Sequence, residues 1–343
     1  QLMAFHYREI VVINITICWN GAYLLVTFYS LNTNTLSQSA GNLGRYRKVS
    51  TLGGSSETTR DDTYDLFKLH YKCLYNKDLS DDWLDWFIGF SEGDGAILRH
   101  YDNCRFVLTQ KDYRILYDIR DYLGFGYVKL HKKDDRIIYG RYIVYHSRDC
   151  LLLYLLFNGH LRLTAKIAQL ERWYEVLKSK TFFDIDLTLN LTKKEVSLKD
   201  AWLSGFTDAE GCFSIHKYKN REITYIKCRF ILDQNDESVL NDISQLLYNK
   251  HLARLRKSGN NNAYRIDISC NHRERHKTIV NYFDQYPLKT TKLNAYLIFK
   301  VILSKVIDRQ PLSRETISEI DSMRKSMNKS LLLNRKIGHK NKS

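Results

Sequence analysis

Two copies of one short pattern constrain this chain more than any other feature: Phe87-Ile-Gly-Phe-Ser-Glu-Gly-Asp94-Gly-Ala and Leu203-Ser-Gly-Phe-Thr-Asp-Ala-Glu210-Gly-Cys. Each is an apolar stretch that ends in an acidic residue followed by glycine. Trp83, Trp86, Phe87 and Phe90 recur at helical spacing, and Trp202, Leu203 and Phe206 are the counterparts of the last three. Gly89 with Gly93, and Gly205 with Ala209, put small residues four apart on a neighbouring stripe. Small residues at that spacing let two helix backbones approach more closely than Leu or Ile would permit. The expectation is a helix–helix seam that brings Asp94 and Glu210 to one site.

The duplication runs well beyond the helices. Phe106-Val-Leu-Thr-Gln110-Lys-Asp112 is matched by Phe230-Ile-Leu-Asp-Gln234-Asn-Asp236, and Leu163-Thr-Ala-Lys166 by Lys289-Thr-Thr-Lys292. From Asp94 to Glu210 is 116 positions, from Gln110 to Gln234 124, and from Lys166 to Lys292 126, so order is kept and only loop lengths differ. Two copies of this size indicate a pseudo-symmetric duplication and not a solenoid. Within each half the pattern predicts helix, two strands, helix, two strands, helix. Strands are expected at 96–100, 104–110, 126–132 and 137–145, and again at 212–218, 224–233, 252–257 and 263–269. Asp112 and Asp236 are expected to cap the helices that follow them. The predicted class is α+β, with helices on one face of each antiparallel sheet.

Residues 1–79 read as a leader and linker, 80–185 as the first repeated domain, 186–305 as the second and 306–343 as a basic tail. Residues 10–29 are apolar, but Asn14, Thr16, Asn20 and Thr27 interrupt them and would be costly in lipid, so a membrane span is not expected there. Residues 37–60, rich in Gly, Ser, Thr and Asn, read as a flexible or partner-ordered linker. Gln1 in place of an initiator methionine suggests excision from a longer product.

Lys and Arg number 53 against 38 Asp and Glu, a net charge of +15, which favours a polyanionic partner or an anionic membrane surface. Seven cysteines without a C-x-x-C pair argue against a disulfide framework or zinc module. Two prolines, 24 tyrosines and abundant Lys, Asn, Ile and Leu look like translation of an AT-rich, organellar genome.

Two carboxylates at a helix seam repel each other, and a divalent cation neutralises them; oxygen ligands favour Mg²⁺. Beside a phosphodiester such ions activate water and stabilise the attacking and leaving oxygens. Asp94 and Glu210 are thus candidate metal ligands, Gln110 and Gln234 candidates to orient water, and Lys166 and Lys292 candidates to offset charge on phosphate. Each has a bland counterpart: a helix-end acid, a strand-end amide, a solvated lysine. The duplicated set favours ligation. Glu92 and Asp208, two residues earlier, fall on another helix face and read as structural. Lys227 and Arg229 (with Tyr225) alternate with apolar residues, as do Lys129 and His131, and Arg254 and Arg256. Repetition in both halves predicts a basic saddle whose ribbons enter a major groove.

On these residues the chain resembles the LAGLIDADG homing endonucleases and the related group I intron maturases, with residues 87–95 and 203–211 as the signature helices. The resemblance covers about residues 80–305. It implies two pseudo-symmetric αββαββα halves, signature helices at the interface, an antiparallel β-sheet saddle, and a monomer with internal pseudo-dimer symmetry. It further implies Mg²⁺-dependent cleavage of both strands of a double-stranded DNA target, leaving short 3′ overhangs, and a setting in the mitochondrial matrix. Some members bind their own group I intron RNA to assist splicing, in places with a nuclear-encoded splicing factor. Residues 38–42 and 54–60 also resemble the stretch preceding these domains in fungal mitochondrial intron reading frames. The first half departs from the pattern: Pro287 precedes the second lysine segment, and the segment before Lys166 has no proline. A catalytically inactive RNA maturase on the same scaffold is the main rival reading. A membrane-associated structural protein is a third, resting only on residues 10–29 and basic charge.

Overall fold

The computed structural model describes residues 62–180, 187–221, 223–258, 261–307 and 312–336; the apolar stretch 10–29 and the linker 37–60 lie outside them. Among the described residues no helix is long and apolar enough to cross a membrane. Helix α1 (Asp62–Tyr75) leads into α2 (Asp81–Asp94), then β1 (Gly95–His100), β2 (Asn103–Gln110), α3 (Arg114–Leu123), β3 (Tyr127–Lys133), β4 (Arg136–Val144), α4 (Ser147–Phe157) and α5 (Thr164–Leu177). The second half repeats this order from α6 (Trp202–Glu210) through β5 (Gly211–Asn220), β6 (Ile223–Gln234), α7 (Glu237–Tyr248), β7 (Arg254–Ser258), β8 (Asn261–Ser269), α8 (Arg273–Gln285) and α9 (Lys292–Lys305). Helix α10 (Arg314–Lys336) follows.

The αββαββα order is present in each half, and each half closes with one more helix than the repeat suggested, because α4 and α8 precede the lysine-bearing α5 and α9. The sheets are four-stranded and antiparallel, ordered β1-β2-β4-β3 and β5-β6-β8-β7. One face of each is apolar and lies on its helices: Phe106 and Leu108 in the first half, Phe230 and Leu232 in the second, are fully buried. The period of two in β6, with Ile226, Cys228 and Phe230 inward, is what sorts the chain onto these two faces.

Part of the region expected to be leader is helical. Phe67 and Tyr71 of α1 are buried, the Thr63 hydroxyl donates to the Asn158 carbonyl at 2.9 Å, and the Tyr71 hydroxyl donates to the Leu123 carbonyl at 3.0 Å. Within the expected tail, α10 buries Ile320 and Met327, and Asp321 pairs with Lys217 at 2.5 Å. Asp236 caps α7 as expected, accepting from the Ser238 and Val239 amides. Asp112 does not cap α3. The chain turns once more before the helix, Tyr113 takes the cap position without a side-chain bond, and the Asp112 carboxylate accepts from Arg114 Nε at 3.2 Å.

The halves meet where α2 packs on α6 at backbone contact. A Cβ placed on Gly89 would lie 2.1 Å from the Trp202 carbonyl oxygen, and one on Gly205 1.8 Å from that of Trp86. Further along, Gly93 faces Ala209. Rigid backbone cannot yield as a side chain does, so Gly89→Ala or Gly205→Ala should each cost about 3 kcal/mol or more. Urea unfolding is the measurement, and a loss below 1 kcal/mol would show that the helices are not in contact there.

The segment joining the halves, described over 187–201, is tied to the α4–α5 turn. Arg162, fully buried, donates to Asp200 at 2.7 Å and to the Glu195 carbonyl at 3.1 Å, and its guanidinium lies 4.6 Å from the Trp202 ring centroid. Beside it His160 Nδ1 lies 3.0 Å from Lys194 Nζ, which fixes the imidazole as a neutral acceptor. Burial, then the charges of Lys194 and Arg162, hold the imidazole down to about 3. A base whose pKa is depressed on folding stabilises the fold above its unfolded value of about 6.5 and loses that contribution as pH falls toward the folded value. His160→Gln, which keeps an acceptor for Lys194, should therefore flatten the acid side of a stability–pH curve between about pH 6.5 and 4. Parallel curves for parent and variant would refute the assignment.

Candidate active site at the helix seam

Each acid is the last residue of its seam helix, and the glycine after it opens the first strand of its half. A Cβ on Gly93 would lie 3.1 Å from Glu210 Cγ, which shows how closely the second acid approaches the first helix. Burial pushes the Asp94 carboxyl up, against the pull of Lys292, Gln110 and Lys166. Burial and then the Asp94 charge push Glu210 up to about 7.

Four of the other sequence-derived candidates divide three to one. Gln110 donates its amide to Asp94, Lys166 donates to the Gly95 carbonyl, and Lys292 donates to the Thr207 and Ala209 carbonyls at 3.1 and 2.9 Å. Burial lowers both lysines, opposed by Glu92, Glu210 and Asp94 around Lys166 and by Asp208, Asp94 and Glu210 around Lys292. Gln234 instead turns its carbonyl oxygen to the Asn235 amide at 2.6 Å, and the nearby Asp233 takes its place as an electrostatic neighbour of Glu210. The two halves of the centre are therefore related in backbone and unlike in side chains.

Among the described residues the lysine ammonium groups bind carbonyl oxygens and pair with neither acid. Two desolvated carboxylates thus face each other with both lysines nearby and neither bonded to them, an oxygen donor set that fits a hard divalent cation. No group of three or more His, Cys, Asp or Glu side chains among the described residues forms a metal cage. A hard divalent ion such as Mg²⁺ is commonly held by one or two carboxylates, with water completing its shell.

Glu92 and Asp208 form the latch of the seam. Trp202 Nε1 donates to Glu92 at 2.7 Å and Trp86 Nε1 to Asp208 at 2.8 Å, so each half's tryptophan binds the other half's acid. The same carboxylates accept from the turns that start the lysine helices: Glu92 from the Arg162 and Leu163 amides at 2.7 and 2.6 Å, Asp208 from the Lys289 and Thr290 amides at 2.7 and 3.3 Å. These acids thereby position Lys166 and Lys292. Their readable signal is a tryptophan six residues before an acid, in both copies. Trp202→Phe leaves the buried Glu92 Oε2 without its donor and should cost about 1–3 kcal/mol, whereas Trp86→Phe leaves Asp208 Oδ2 the Lys289 amide and should cost less. Thermal unfolding of the two variants would contradict the latch if neither differed from the parent.

The nucleic-acid candidates all lie on the sheet faces turned away from the helices. Lys129 and His131 are outward on β3, Lys227 and Arg229 on β6, Arg254 and Arg256 on β7. Pairing aligns Lys129 with Arg141, Arg254 with Arg265, and Lys227 with His216. Strand β7 departs from the expected alternation, because Leu255 is 48% exposed. Arg141, Arg265 and Arg105 were not singled out from sequence, since only strand pairing puts them on the same face.

The chain matches the LAGLIDADG endonuclease family over residues 87–177 and 203–303, and it belongs to that family. It is 33% identical over 264 residues to the "Probable intron-encoded endonuclease 4" of Neurospora crassa, a match covering 74% of this chain and 46% of that protein. The chain thus spans less than half the length of that relative. It is 25% identical over 294 residues to the "Uncharacterized cox1 intron-2 37.2 kDa protein" of Schizosaccharomyces pombe, covering 83% of each. The fold is shared with the LAGLIDADG meganuclease I-CpaMI, solved bound to uncleaved DNA, at TM-score 0.56 and 17% identity, over 71% of this chain and 99% of that one.

Proposed function

We propose that this chain is a site-specific DNA endonuclease that cuts both strands of a long duplex target as a monomer with internal two-fold pseudo-symmetry. The observation that carries this reading is the meeting of Asp94 and Glu210 at the foot of two outward-basic sheets. Asp94 and Glu210 would hold Mg²⁺, which when bound supplies water activation and charge neutralisation at a scissile phosphate. Lys166 and Lys292 hold positive charge beside the acids and offset charge developing on phosphate oxygens. Gln110 fixes the orientation of the Asp94 carboxylate. The sheets orient the duplex through its phosphates and read its major groove.

The relatives named for cox1 introns support a mitochondrial setting and an intron-insertion site as target. In the same reading the parent group I intron RNA is a second partner, whose splicing the protein assists by stabilising folded RNA, with or without a nuclear-encoded factor. The RNA supplies its own transesterification chemistry, so the acids serve only DNA cleavage.

Purified protein with Mg²⁺ should cut intron-free DNA spanning the insertion site. Asp94→Asn with Glu210→Gln should lower double-strand cutting by on the order of 100-fold or more, with binding retained. The same double variant should promote splicing of precursor RNA at the parent rate. Tight binding of that DNA by a folded parent protein that never cuts would instead support the splicing-only reading.

A further inference from the structure

The two sheet faces are related by register yet differ in chemistry. Ala96, Val107, Ile143 and Tyr127 form one row across all four strands of the first sheet. Ile143 is buried on this outward face, beside Tyr127, and is not part of the helical core. The matching row of the second sheet runs through Cys212, Ile231 and Asp267. An aspartate thus stands where the first half has Ile143. One row on, Thr109 and Arg141 are matched by Asp233 and Arg265.

Those two exchanges change how the arginines are held. In the second half Arg229 pairs with Asp267 at 2.9 Å, and Arg265 binds Asp233 through Nε and Nη2, both at 2.6 Å. Arg105 and Arg141, at the equivalent positions of the first sheet, pair with no carboxylate among the described residues; Arg141 lies over the Tyr139 ring. A carboxylate on the face repels phosphate and holds its arginine in one orientation. The resulting pair offers donors suited to guanine O6 and N7 and an acceptor suited to cytosine N4. The accessible side chains Ala96 and Val107, beside the buried Ile143, offer neither donor nor acceptor. A phosphate or a polar base edge pressed on them would lose hydrogen bonds, whereas the thymine C5-methyl fits.

Resting on the DNA-target reading, we propose that the two half-sites differ in composition: T·A pairs lie against Ala96, Val107 and Tyr127 over the buried Ile143, and G·C pairs lie against the Arg229–Asp267 and Arg265–Asp233 pairs. The specificity-determining residues of the first half are then apolar, and those of the second are clamped ion pairs.

The test is selection of bound duplexes from a library randomised across both half-sites, with the full chain in magnesium-free buffer containing chelator. Asp267→Ile, which installs the first half's residue in the second, is run in parallel, and the positions that respond to it mark the second half-site. The parent should select G·C there, each change to A·T weakening binding about 10-fold. Replacing thymine by uracil in the first half-site should weaken it about 4-fold, the effect of one methyl. Asp267→Ile should lose the G·C preference and gain thymine. Asp267→Ser, on the same outward strand face, serves if the isoleucine variant fails a thermal-unfolding check, and it should likewise lose G·C. A parent that selects no sequence would overturn the DNA-target reading and this proposal with it. A parent that selects a defined site lacking this asymmetry, or a folded variant with unchanged preference, would overturn the proposal alone.

Discussion

The contact of α2 and α6 through Gly89 and Gly205 is the constraint on which the rest of the molecule depends. Without side chains at those two positions the backbones touch, and everything C-terminal to the contact is brought close as well. Trp86 and Trp202 then reach the opposite half's acid, and the two helix ends deliver Asp94 and Glu210 to one place. Helices set apart by a leucine layer would sit about 8–10 Å between axes, and the acids would titrate as independent surface groups.

The centre combines two uses of buried negative charge. Glu92 and Asp208 are saturated with amide, indole and hydroxyl donors, which oppose the upward push of burial on both carboxyls, and they hold structure. Asp94 and Glu210 are desolvated and far less satisfied, which is the condition for taking up a cation. Two residues along one helix separate a carboxylate saturated with donors from one that is not. The distinction lies in the partners that the turns before α5 and α9 supply.

Much of this was legible in the sequence. The duplicated pattern placed the seam, the sheets and the acids, because a period of 3.6 in the helices and of two in the strands records which side faces the core. Side-chain orientation was not legible. Gln110 and Gln234 share a sequence context, yet one binds Asp94 and the other its own neighbouring amide. Asp112 and Asp236 occupy equivalent places, but an extra turn at Tyr113 removes the first from its cap. Helices α1 and α10 were missed because they have no copy in the repeat, so only their packing on α4 and against Lys217 reveals that they belong to the fold. The Arg229–Asp267 and Arg265–Asp233 pairs depend on strands far apart in sequence, and no local pattern announces them.

That the seam makes one metal site from two acids is the central claim, and a double-mutant cycle on Mn²⁺ binding to the folded, DNA-free protein tests it most directly. Calorimetric titration of the parent, Asp94→Asn, Glu210→Gln and the double variant supplies the four affinities. A shared site predicts that either single substitution removes most of the binding and that the second removes little more, a strongly non-additive cycle. Additive losses, each variant retaining its own independent ion, would contradict the account.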